Sequence, residues 1–183
     1  MAKKTSKRKT LNILEKNKKH SQFDYTEIFR HIRTNIEFST VDKDIKSICI
    51  TSSQAGEAKT TLSINLAYIF ATKYNRVLLI DCDLRKNTLH KYMGLSNKHG
   101  LTDALLEYRQ TKKLNVEYFQ SVKDPSFAGT MAVLTSGIHI PNPSELLGSH
   151  VFKDYINELK TGALIEASMM MGAALAGARE NDI

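Results

Sequence analysis

Two short stretches hold residues whose types and spacing suit phosphoryl chemistry. The first is ICITSSQAGEAKTTLSINLA, residues 48–67. A β-branched apolar run leads into a polar loop, and an apolar-periodic stretch follows. Backbone amides at such a strand–loop–helix junction gather around an anion. Aligned on Gly-x-x-x-x-Gly-Lys-Ser/Thr, the chain reads Ser53, Gln54-Ala55-Gly56-Glu57, Ala58, Lys59, Thr60, so Ser53 and Ala58 replace two glycines. Lys59 suits the β- and γ-phosphates of a nucleotide, the Thr60 hydroxyl suits Mg²⁺, and the amides from Gly56 to Thr61 suit a phosphate cradle. A methyl at Ala58 crowds that cradle, or strains it if the backbone needs a positive φ there. Taken alone, the loop also reads as a polar turn before a helix that happens to begin with lysine.

The second stretch is VLLIDCDLRK, residues 77–86. Asp81 and Asp83 close an apolar run at the end where open α/β sheets hold their ligands. Alternate residues of a strand point to opposite faces, so the chain has to turn here if both carboxylates serve one site. One would then approach Mg²⁺ while the other orients or deprotonates an attacking hydroxyl, and Arg85 would neutralise phosphate or pair with a carboxylate. The plain alternative is two solvated aspartates at a strand end.

These side chains need a scaffold, and the hydrophobic pattern supplies one. Residues 45–51 and 76–81 read as buried strands, with a helix over 59–74 between them. The unit is therefore βαβ, with parallel strands and a right-handed crossover. Residues 22–39 read as an amphipathic helix with Tyr25, Ile28, Phe29, Ile32 and Ile36 on one face. Glu27, Arg30 and Arg33 lie on the other face, either solvated or offered to a neighbouring subunit. Gly100 to Asp103 opens a further helix with Thr102 as its N-cap. Residues 131–136 read as a third strand, and Asn142-Pro143-Ser144-Glu145 starts a helix through a capping box. The Ala- and Met-rich segment from about 161 lacks aromatics and suits one small-residue helix over 163–178.

The chain has 183 residues, with 42% hydrophobic and 25% charged. That is one domain with a core, not a disordered chain. No run is long and apolar enough for a transmembrane helix, and the basic N-terminus lacks the apolar stretch of a secretory signal. The net charge of +7 resides in residues 1–20, where eight lysines and arginines face one glutamate, while the remainder balances. A neutral body with a basic tail disfavours a specific nucleic-acid partner and suits anionic lipid or an acidic protein. Cys49 and Cys82 read as buried free thiols. The six histidines lack ligand spacing.

Over residues 22–160 the sequence resembles the bacterial tyrosine kinases of capsule and exopolysaccharide synthesis. EIFRHIRTNIEFS resembles that family's E-x-x-R-x-x-R motif through Glu27, Arg30 and Arg33. ITSSQAGEAKTT resembles its Walker A loop, which usually has Pro at the place of Ala55 and Gly at that of Ala58. VLLIDCDLRKNTLHKYMGL resembles its Walker A′ segment through Asp81, Asp83 and Arg85, and LTSGIHIPNPSELLGS a further signature. The resemblance implies an α/β, P-loop NTPase-like parallel sheet flanked by helices, incomplete at its C-terminal side. It also implies ATP- and Mg²⁺-dependent autophosphorylation on tyrosine. Lys59, Asp81 and Asp83 would be catalytic. Gly56, Glu57, Ala58, Lys59, Thr60, Thr61 and Arg85 would hold ATP, and Thr60 and Asp81 the metal. Self-association would run through the Glu27/Arg30/Arg33 helix. A membrane-anchored adaptor of the polysaccharide chain-length class would hold the protein at the inner face of the membrane.

The resulting organisation is a basic tail over 1–21, a kinase-like domain over 22–160 and an atypical tail over 161–183. Two departures from the family pattern fall in the last part. The family's Walker B strand, ending in Asp-Thr-Pro-Pro, has no counterpart after Lys160, which leaves three expected strands. The C-terminal tyrosine cluster is also missing, since Tyr155 is the last tyrosine; Tyr25 is the residue expected to accept phosphate, or else to pack in the core. Two alternatives follow: a catalytically impaired relative that only assembles, and a partition-type P-loop ATPase. The second carries a signature lysine where this chain has Gln54.

Overall fold

The computed structural model describes residues 25–39, 46–161 and 167–171. Along the chain run α1 (Tyr25–Phe38), β1 (Ser47–Ile50), α2 (Lys59–Ala71), β2 (Arg76–Asp81), α3 (Leu89–Met93) and α4 (Leu101–Thr111). A 3₁₀ turn (Val116–Tyr118), β3 (Gln120–Val122), β4 (Thr130–Leu134), α5 (Pro143–Leu147), α6 (His150–Thr161) and β5 (Ala167–Met171) follow. The five strands form one sheet in the order β1-β5-β2-β4-β3. All pairings are parallel except β3 with β4, so the sheet is mixed at that edge.

The period of two in β2 divides the core. Val77 and Leu79 face Ile64, Ala67, Tyr68 and Phe70 of α2, with Phe29, Ile32 and Ile36 of α1 packed against the same cluster. Leu78 and Ile80 face the other way, toward Leu101, Leu105 and Tyr108 of α4 and Tyr155, Ile156 and Leu159 of α6. Helices thus cover both faces of the sheet, as a largely parallel sheet requires. Residues 63–71 of α2 are buried without interruption, because the helix is sandwiched between sheet and α1.

Several expectations are corrected. Among the described residues the sheet has five strands, not three. Residues 167–171 form a strand where a helix was expected over 163–178; the remainder of that span, and the basic tail, lie outside the described residues. β5 sits between β1 and β2, and its backbone is hydrogen-bonded on both sides. A central slot with two ladder partners overrides the weak strand preference of Ala and Met. The N-cap of α4 is Gly100, not Thr102: the Asp103 carboxylate accepts from the Gly100 amide at 2.9 Å. The Thr102 hydroxyl instead donates to the carbonyls of Ser136 and Ile138. α5 starts at Pro143 as expected, but Asn142 makes no side-chain cap to the backbone. Tyr25 and Ile28 are exposed, not part of the packed face. Cys82 is buried, while Cys49 is exposed on the edge strand β1. Among the described residues no helix is long and apolar enough to cross a membrane.

Candidate active site

Parallel strands bring their C-terminal ends to one edge, and both chemistry-bearing stretches emerge there. Ile50, Met171 and Asp81 lie level across β1, β5 and β2. The loop after Ile50 and the turn after Asp81 are therefore two strand spacings apart, roughly 10 Å. That gap suits a polyphosphate bound between them.

The first loop is wound as an anion cradle. Gly56 has φ 86°, and Ala58, the residue before α2, has φ 57° and ψ 22°. Left-handed residues alternating with others along a turn direct successive amides to one side. The first turn of α2 adds the amides of Lys59, Thr60 and Thr61, which have no intrahelical acceptors. The strain foreseen at Ala58 is thus present: the backbone adopts the left-handed form that glycine takes freely, with a methyl attached. The Lys59 ammonium folds back over the loop. It donates to Ser52 Oγ at 2.5 Å and to the Gln54 carbonyl at 3.1 Å, and Ser52 Oγ donates to that same carbonyl at 2.8 Å. The Glu57 carboxylate accepts from the Gln54 amide at 3.3 Å.

The second stretch turns as its two aspartates require. β2 ends at Asp81, and a tight turn follows, with the Leu84 amide donating to the Cys82 carbonyl at 3.0 Å. Asp81 is fully buried; its Oδ1 accepts from the Asp83 amide at 3.0 Å, and its Oδ2 has no hydrogen-bond partner. Burial above all, opposed by the Asp83 amide, reinforced by the Asp83 charge and opposed again, more weakly, by the Leu89 amide, pushes the Asp81 carboxyl up to about 7. Asp83 is half-buried, and its Oδ1 accepts from the amides of Arg85 and Lys86 at 3.3 and 2.8 Å. Arg85 is exposed and donates to Ser144 Oγ at 3.0 Å, tying this turn to the start of α5. A buried carboxylate oxygen without a hydrogen-bond partner, at the same sheet edge as this loop, suits a hard divalent cation.

The structure therefore gathers Gly56 to Thr61, Asp81, Asp83 and Arg85 at one edge of the sheet. It divides the third group. Glu27 and Arg30 are exposed on α1 and pair with each other at 3.3 Å. Arg33 turns inward, donating to the Ile69 carbonyl at 2.9 Å and to Thr72 Oγ1 at 3.3 Å near the end of α2. It also lies 3.6 Å from Glu37. The expected location of Arg33 on the outer charged face is corrected accordingly. An arginine can reach the last carbonyls of a neighbouring helix, where a cation is also favoured by the helix dipole.

Three supporting residues went unseen in the sequence. Ser52 receives Lys59, Ser144 receives Arg85, and Asn97 clamps the 135–137 loop by contacts to Gly137 and Ser136. Each is a single polar residue in a loop, and no spacing marks it. Gly137 has φ 83°, and a Cβ there would come within 2.6 Å of Thr102 Oγ1, so the LTSG segment is built to dock on the start of α4.

The AAA domain family model matches residues 45–160. Tyrosine-protein kinase YwqD of Bacillus subtilis (strain 168) is 47% identical over 133 residues, covering 73% of this chain and 53% of the relative. Putative tyrosine-protein kinase CapB of Staphylococcus aureus is 37% identical over 159 residues, covering 87% of this chain and 64% of the relative. Among solved structures, the chimerical protein CapA2B2 superposes with a TM-score of 0.72 at 30% identity, covering 92% of this chain and 68% of that one. The chain thus spans between about half and two thirds of the length of these two kinase relatives.

Proposed function

This chain belongs to the AAA-domain family of bacterial tyrosine-protein kinases, and we propose that it transfers the γ-phosphoryl group of ATP to tyrosine hydroxyls in the control of capsule or exopolysaccharide synthesis and export. The reading is supported above all by one observation. The left-handed loop ending in Lys59 and the buried, half-satisfied carboxylate of Asp81 share the C-terminal edge of the sheet.

The amides from Gly56 to Thr61 cradle the phosphates. Lys59 leaves Ser52 and the Gln54 carbonyl to meet the β- and γ-phosphates, and Arg85 exchanges Ser144 for phosphate. Thr60 and Asp81 Oδ2 would hold Mg²⁺, which supplies charge neutralisation at the phosphates when bound. Asp83 spends one oxygen on two backbone amides and keeps the other for the proton of the attacking phenol. Self-association involves α1, a membrane-anchored adaptor holds the protein at the inner face of the membrane, and the basic segment over 1–21 contributes attraction to anionic lipid.

Incubation with Mg·ATP should yield phosphotyrosine that disappears in Lys59→Ala and Asp83→Asn. A thermal melt should show a shift with Mg·ATP, about 2.7 kcal/mol at a hundred times the dissociation constant, that Lys59→Ala abolishes. A second reading, assembly without turnover, is favoured by the composition of β5. The strand itself reads Ala167-Ser168-Met169-Met170-Met171 and carries no carboxylate. Nucleotide binding without phosphotyrosine, with self-association intact, would select it.

A further inference from the structure

All seven tyrosines lie among the described residues, so the phosphate acceptors within the chain can be sought by elimination. Five phenols are committed elsewhere. The Tyr68 hydroxyl donates to Asp124, and that of Tyr74 to Glu37 at 3.1 Å. Those of Tyr108 and Tyr118 donate to Glu158 and Glu107 at 2.6 and 2.7 Å. Tyr155 has no exposure at all, being wedged edge-on against Tyr108 in the core beneath α4 and α6. An attacking phenol must leave its partner and enter a second protein's cleft, and these five would have to break a buried or carboxylate-bound arrangement to do so. Their carboxylate neighbours would also repel the incoming phosphates.

The other two differ in exposure. Tyr25 opens α1 and is 42% exposed; Tyr92 lies on α3 and is 47% exposed. α3 is pinned by Leu89, which is fully buried, and by Met93 against the same cluster, so Tyr92 is presented on a fixed outer surface. The segment over 84–102 that contains it carries Arg85, Lys86, Lys91 and Lys98 and no acidic residue, a local charge that favours an anionic group.

We propose that Tyr92 and Tyr25 are the phosphate-accepting tyrosines of this chain, and that the five others are excluded by the fold. The proposal rests on the phosphotransfer reading for its donor. In the step itself, the phenolic oxygen bonds to the γ-phosphorus of ATP and the bond from that phosphorus to the β–γ bridging oxygen breaks. ADP leaves with that electron pair, and the phenolic proton passes to Asp83 of the copy that holds the ATP. A phosphate on Tyr25 would sit two residues from Glu27 on α1, next to the surface assigned to self-association.

The full chain is incubated in two ways: with Mg·ATP alone, and with Mg·ATP plus an added protein-tyrosine kinase of broad specificity. Phosphotyrosine is then mapped on peptides by mass spectrometry. The expected result is label on Tyr25 and Tyr92 in both arms and loss of nearly all label in the Y25F/Y92F double variant, whose melt should match the parent because both rings are exposed. Label on Tyr68, Tyr74, Tyr108, Tyr118 or Tyr155 of the folded chain, or undiminished label in the double variant, overturns the proposal. No label with Mg·ATP alone, but label confined to Tyr25 and Tyr92 with the added kinase, removes the phosphotransfer reading and upholds the acceptor assignment. Failure of the added kinase to label either residue overturns the assignment itself.

Discussion

Asp81 shows how a single residue records the demands of a site. A carboxyl with no exposure and one oxygen without a partner is costly to ionise, and its pKa near 7 expresses that cost. In the unfolded chain the group returns to about 3.8. Between those values the fold keeps a proton that the unfolded chain has lost, so stability falls as pH rises from about 4 to about 7 and stays reduced above that. Asp81→Asn preserves the shape and the acceptor for the Asp83 amide while removing the charge. Without nucleotide or metal it should stabilise the protein at pH 8, by at most about 4 kcal/mol for a shift of this size, and have little effect at pH 4. Urea titrations at the two pH values check this; equal effects at both would contradict it. Ala58 is the second such residue. Left-handed backbone costs an alanine about 1 kcal/mol or more relative to glycine, and the extra freedom of glycine in the unfolded chain returns part of it. Ala58→Gly should therefore be neutral to stabilising by up to about 1 kcal/mol, whereas Ala58→Val should destabilise. The ordinary cost of a glycine at a helix start would be the opposite sign, and denaturant midpoints decide between them.

At the scale of elements, α1 and α2 form a unit braced by one arginine. Arg33 holds the Ile69 carbonyl and Thr72, while Glu37 joins Lys73 at 2.8 Å and Tyr74 at 3.1 Å, so the outer helix is strapped to the distal end of the helix that begins at Lys59. Losing Arg33 leaves the partly buried Ile69 carbonyl without this donor and takes from Glu37 one of its cations, Lys73 remaining. Arg33→Ala should cost about 1–3 kcal/mol and speed amide exchange across residues 25–38 in the dilute monomer. Arg30→Ala removes only an exposed pair worth under about 1 kcal/mol, and should leave that exchange unchanged while weakening self-association. If both variants leave exchange alone, Arg33 is not a brace. The three motif residues are evenly spaced in sequence, and that spacing alone put them on one face. Register on a helix tells which residues share a side; it does not tell which long side chain bends back to a neighbouring helix 36 residues away. The βαβ unit was legible because β2 is a continuous valine, leucine and isoleucine run and β1 carries β-branched Ile48 and Ile50, and β2 appears over the very residues expected. The short antiparallel β3, the five-residue α3 and the helix α6 were not, since short or mixed patterns carry little periodic signal. In the site, Lys59, Asp81 and Asp83 announced themselves by spacing from strand ends. Ser52, Ser144 and Asn97 did not, because their roles are set by loop geometry that only the folded chain creates.

For the whole molecule, the decisive strand is the one whose residues looked least like a strand. Among the described residues β1 is hydrogen-bonded to β5 alone, and β5 in turn is what joins β1 to β2. The loop carrying Lys59 and the turn carrying Asp81 share a site only because this strand holds their parent strands in register. Ile50 level with Asp81 across Met171 is the geometric form of that dependence. Without β5 the four residues of β1 would be a strand with no partner, and the α2 layer would cover an open gap in the sheet. Such a sheet loses ladder hydrogen bonds on both its P-loop strand and β2, and it exposes apolar surface on both faces. A chain ending after Thr161 should therefore lack a cooperative melt and fail to bind Mg·ATP, although every residue assigned to the nucleotide is still present. A chain ending after Met171 keeps the strand and should melt as the full chain does. Should the shorter form melt cooperatively at the parent temperature, the sheet does not depend on residues 167–171, and the alignment of the two loops would have to come from the α2 and β4 layers instead.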